Sequence, residues 1–144
     1  MQNTPIRNKR EPFFNDVPPG VLAVGSLLVA IEILLQILGL EWRSGAFVLF
    51  AFFPIEFGTP YKELFFGQNL LMFFSYSLLH GNFFHMIINV AILFALGKQI
   101  EDRVGMINFI LIFVSTVITG AVAYQILASV NPTPMVGASA VSYT

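Results

Sequence analysis

Long uninterrupted apolar runs, rather than alternation, dominate this chain. Three of them approach the roughly 20 residues needed to cross a hydrocarbon core, and they predict spans over residues 20–40, 78–97 and 105–128. The first, VLAVGSLLVAIEILLQILGL, is broken only by Glu32 and Gln36, whose i, i+4 spacing puts both on one helix face. The third carries Ser115, Thr116, Thr119, Gly120, Ala121 and Ala123, small side chains that allow close helix contact. Asn131-Pro132-Thr133-Pro134 then breaks the chain, and MVGASAVSYT reads as the start of a fourth helix at about residue 137. Residues 1–17 form a polar tail. The connection over residues 41–70 is not simply polar: its AFVLFAFF stretch is too short to span and is ended by Pro54 and Glu56, which fits an interfacial or partly inserted segment. Trp42 suits the same interface. The pattern therefore predicts an all-α polytopic membrane helical bundle, with three full spans and the start of a fourth in residues 18–144.

Composition strengthens the membrane reading. Hydrophobic residues make up 56% of the chain, charged residues 10%, and the mean hydropathy is +0.78. Soluble domains carry about 25% charged residues, so water is not the solvent for most of this surface. A net charge of -1 leaves no footprint for nucleic acid. The lack of cysteine excludes disulfides and thiolate metal sites. Polar residues 1–16 and the length of the first apolar run argue against a cleaved secretory signal. Arg7, Lys9, Arg10, Lys98 and Arg103 fall on one side of the predicted topology, and only Arg43 and Lys62 on the other. The bias of cations toward the cytoplasm predicts an N-terminus inside and residues 41–70 as an outer loop. A compact, loop-poor design of this kind suits a bacterial inner membrane.

Polar side chains at membrane depth cost several kcal/mol unless partnered, which makes HGNFFHMIIN, residues 80–89, the most informative stretch. The topology places His80, His85 and Asn89 at the same membrane face as Gly137-Ala138-Ser139-Ala140. Counting 12 residues from Gly97 puts His85 about 18 Å up a core of roughly 30 Å. His85 and Asn89, at i, i+4, point together into the bundle, and Gly81 and Asn82 are placed to cap the helix, leaving His80 just outside it. Taken singly, each polar residue reads as interhelical glue. Paired histidines could also hold haem or a metal, but His80 and His85, five apart, do not share a helix face. Glu32 and Gln36 read as structural or as facing an internal water pocket, and an intramembrane acid in a small transporter would look the same.

Together these residues fit acyl transfer, which needs a nucleophile, a base and donors aimed at the developing oxyanion. Ser139 falls at a helix N-terminus that favours negative charge, His85 and Asn89 can offer N–H donors, and Gly137 leaves room for a substrate backbone. The order His80, His85, Asn89, then LGKQIEDRVG at residues 96–105, then GASAVSY at 137–143 resembles the rhomboid family of intramembrane serine proteases, from about Phe73 to the last residue. The resemblance implies a six-helix core around a water-filled site, membrane-anchored protein substrates, the bilayer as surroundings and no cofactor. It makes Ser139 the nucleophile and His85 and Asn89 the oxyanion-hole donors. It makes Tyr143 the tyrosine that packs on the catalytic histidine, and His80 and Gly137 supporting residues. Glu101 and Arg103 match a structural pattern in the short cytoplasmic turn.

The chain departs from the family pattern in three places. Ala140 stands for the glycine after the nucleophile, and Leu71-Met72 stand where a Trp-Arg pair is usual. The family's general-base histidine has no counterpart, because both histidines of residues 1–144 lie around the second span. These residues are thus expected to be the N-terminal part of a rhomboid protease, inactive alone. The alternatives are a rhomboid-like pseudoprotease that binds membrane clients and, further off, a haem- or metal-binding membrane protein or a small transporter.

Overall fold

Proline at the first helical position and glycine just past the last one bound the opening helix. Pro19 has its φ preset for a helix and no N–H to leave unpaired, and Gly39, at φ 87, ends the run with its N–H on the Leu35 carbonyl. The computed structural model describes residues 17–54, 63–127 and 134–137. The polar tail before residue 17 and the expected fourth helix beyond Gly137 lie outside the described residues.

The described chain is helical: α1 (Pro19–Leu38), α2 (Leu40–Phe50), α3 (Gln68–Ser75), α4 (Phe83–Val104) and α5 (Met106–Leu127), with a 3-10 turn at Tyr76–Leu78. At 1.5 Å per residue α1 is about 30 Å long, and α4 and α5, of 22 residues each, are about 33 Å. All three are long and apolar enough to cross a membrane, and the chain is a multi-pass membrane protein.

α1 buries Val21, Gly25, Leu28, Glu32 and Leu35. These positions alternate steps of four and three, the seam of two helices packed nearly side by side. Its main partner is α4. Glycines bring the two together: a β-carbon on Gly97 would lie 2.9 Å from Val21 and 3.2 Å from Phe109 of α5, so one alanine there would wedge three helices apart.

The structure corrects three expectations. The second span's helix does not end near Gly97: α4 runs to Val104, where Gly105 at φ 80 stops it. Hydropathy marks where lipid gives way to water, whereas Lys98 to Val104 contains no residue that breaks a helix. The connection 41–70 is not simply a loop, since it holds all but the first residue of α2 and the first turn of α3. Among the described residues, Ser115, Thr116 and Thr119 are not at a helix contact. They are exposed and donate to carbonyls of their own helix, Leu111, Ile112 and Ser115, while Val117, Gly120 and Ala121 meet Tyr76 and its neighbours.

Candidate active site

Asn82 sets the start of α4. Its extended backbone and its side chain, which accepts from the His85 N–H at 2.9 Å, form an N-cap. Leu79 is extended, so His80 leaves the 3-10 turn and enters the core before the helix begins. The imidazole of His80 is fully buried and meets that of His85 edge-on, with ring centroids 5.5 Å apart.

Across from α4 lies Gly137. Its φ of 98 is a conformation that side chains resist, and its missing side chain leaves room for the α4 residues. A β-carbon built there would collide with His85 Cε1, lie 2.6 Å from His85 Nε2 and 3.3 Å from Asn89 Nδ2. His85 and Asn89 therefore face one backbone segment together.

Backbone hydrogen bonds hold that segment. Phe52 and Met135 exchange N–H···O bonds of 3.0 and 2.9 Å in an isolated antiparallel bridge, and the Gly137 N–H donates to the Tyr76 carbonyl at 2.9 Å. The Tyr76 hydroxyl reaches across to donate to the Val117 carbonyl of α5 at 2.8 Å. Phe52 packs edge-on against Phe73, Tyr76 and Tyr124, with centroids 4.9 to 6.3 Å apart. Phe50, at the end of α2, accepts from the Ser75 hydroxyl at 2.8 Å, fixing α2 to α3.

Several buried polar atoms at this end of the bundle have no hydrogen-bond partner among the described residues: Glu32 Oε2, His80 Nδ1 and Nε2, and Asn89 Nδ2. Such atoms are rarely left alone, because each costs about 1–3 kcal/mol. Water, or a polar group brought by a substrate, is their natural partner. Asn89 Nδ2, a donor with no acceptor among the described residues, thus lies beside the backbone of Gly137.

Of the residues singled out from sequence, His80, His85, Asn89 and Gly137 come together. Ser139, Tyr143 and Ala140 lie outside the described residues. Glu101 is far from this site, at the N-terminus of α1. Sequence reasoning missed Arg43, Tyr76 and the Phe52–Met135 bridge. Arg43 carried one usable signal, a cation placed just after an apolar run that holds a buried acid.

This bundle, with a polar corner at one end of its spans, is a polytopic membrane protein. A sequence model of the rhomboid domain matches residues 67–144, and the chain belongs to the rhomboid family, a family of intramembrane proteases. No significant match is found among curated proteins.

Proposed function

We propose that the chain carries the nucleophile and the oxyanion-binding part of a rhomboid-type serine endopeptidase, which hydrolyses peptide bonds of membrane-anchored proteins near the outer face of the membrane. The observation that carries the reading is the apposition of Gly137 to His85 Nε2 and Asn89 Nδ2. Ser139 follows Gly137 by two residues, a chain length of at most about 7 Å, which supports pairing its hydroxyl with these donors. Its hydroxyl would add to the scissile carbonyl as its proton passes to a general base. The oxygen that becomes negative would be held by His85, Asn89 and the Ser139 N–H. The amine then leaves, and water hydrolyses the ester that remains. One such donor lowers the barrier by about 3 kcal/mol.

Neither histidine of residues 1–144 is assigned as the base, since one group does not serve readily as base and as oxyanion donor in a single geometry. His80, buried against His85, supports it, and the family resemblance assigns Tyr143 to pack on the catalytic histidine. The distribution of Lys and Arg supports an N-terminus in the cytoplasm of a bacterial cell, with the site opening to the far side. Residues 18–144 are assigned to part of a rhomboid transmembrane domain.

The test is cleavage by the full-length protein of a reporter whose transmembrane segment is helix-destabilised. Ser139→Ala should abolish cleavage. Cleavage unchanged by that substitution rejects the assignment, and no cleavage by the parent protein, with reporter binding intact, selects a client-binding pseudoprotease instead.

A further inference from the structure

Glu32 occupies a seam position of α1 where a leucine would pack, and it is fully buried. Its Oε1 accepts from Arg43 Nη2 and from Gln36 Nε2, the latter at 3.1 Å. The second guanidinium nitrogen, Nη1, donates at 2.9 Å to the main-chain carbonyl of His80. One planar fork from α2 thus joins an acid on α1 to the residue that precedes the Gly81-Asn82 cap of α4. A buried ion pair is weak support for stability, because desolvating both charges offsets most of their attraction. What this pair achieves is geometric. It holds the backbone of His80 where the chain turns into α4, and with it an imidazole that has no hydrogen bond of its own among the described residues to orient it. That ring in turn lies edge-on to His85.

We propose that Glu32 and Arg43 are positioning residues: together they fix the His80 carbonyl, and through the His80 ring they set the orientation of His85 toward Gly137. This rests on the proteolytic reading above. Lysine could not replace Arg43, since a single ammonium lacks the planar fork that grips two acceptors at once.

The experiment uses the full-length protein with three substitutions: Arg43→Met alone, Arg43→Lys, and Glu32→Met with Arg43→Met. The single Met variant strands a buried carboxylate and is expected to fold poorly. The double variant removes both charges, and its apparent Tm should stay within about 4 °C of the parent. For the double variant and for Arg43→Lys, kcat on the reporter should fall on the order of 100-fold, the scale of a misplacement of about 1 Å, with KM changed less than twofold. Ring-nitrogen NMR of histidine-labelled protein gives a readout independent of turnover. His80 and His85 should each show one signal in the parent and doubled or broadened signals in the double variant. A folded double variant with unchanged ring signals, or with kcat within twofold of the parent, overturns the proposal. A parent that cleaves nothing while its histidine signals respond as described defeats only the catalytic reading.

Discussion

α1 and α4 are tied by a carboxylate at each end, and the two ties differ in what they leave unpaired. At the start of α1, Glu101 accepts from the Gly20 and Val21 N–H groups at 2.9 and 2.7 Å, one oxygen each. A negative group there satisfies two orphan donors and meets the positive end of the helix dipole. Both carboxylate oxygens are used. At the other end Glu32 is held through one oxygen only, and four buried polar atoms around it and α4 lack partners among the described residues. A tie whose sole task is to join two helices has no use for unpaired donors. The contrast sets a closed structural clamp against a corner whose polar atoms are left unpaired among the described residues.

Gly137→Ala should have the largest effect, because it strikes the open corner directly. The added methyl would strain a backbone at φ 98 and run into His85 and Asn89, so reporter cleavage by the full-length protein should fall below detection. Glu101→Ala should act oppositely, on the closed clamp. Stranding two buried N–H groups at about 1–3 kcal/mol each should lower the unfolding free energy in mixed micelles by about 3 kcal/mol, with turnover per folded molecule unchanged. Tyr76→Phe removes the hydroxyl that reaches Val117 and should lower stability by about 1 kcal/mol, with cleavage reduced severalfold as the Gly137 segment loosens. Ser115→Ala, on the exposed face of α5, should change unfolding by less than about 0.5 kcal/mol and leave cleavage alone.

Local signals in the sequence reached much of this. Asn82 was readable as a cap because side-chain capping acts within three residues, and the shared direction of His85 and Asn89 follows from helix periodicity alone. Apolar length located the spans, yet it misplaced the end of α4, because solvent transfer and helix propensity are different properties and part company over Lys98 to Val104. The hydroxyls of α5 were assigned to a contact on size, whereas a serine or threonine in a helix also satisfies itself on the carbonyl four residues back. The long-range ties left no periodic trace: Arg43 meets His80 across 37 positions and Tyr76 meets Val117 across 41. Sequence placed Glu32 and Gln36 on one helix face, and Gln36 does donate to Glu32, but Arg43 left no such trace, since it arrives from the next helix around the turn at Gly39.

Asn89→Ala in the full-length protein, with kcat and unfolding free energy measured on the same preparation, tests most directly the claim that the open corner is an oxyanion site. Asn89 Nδ2 has no hydrogen bond to lose among the described residues. The expected result is therefore a fall in kcat of about 100-fold or more with stability changed by less than about 1 kcal/mol. Stability lower by several kcal/mol, with turnover per folded molecule preserved, would make Asn89 a structural residue and contradict the account.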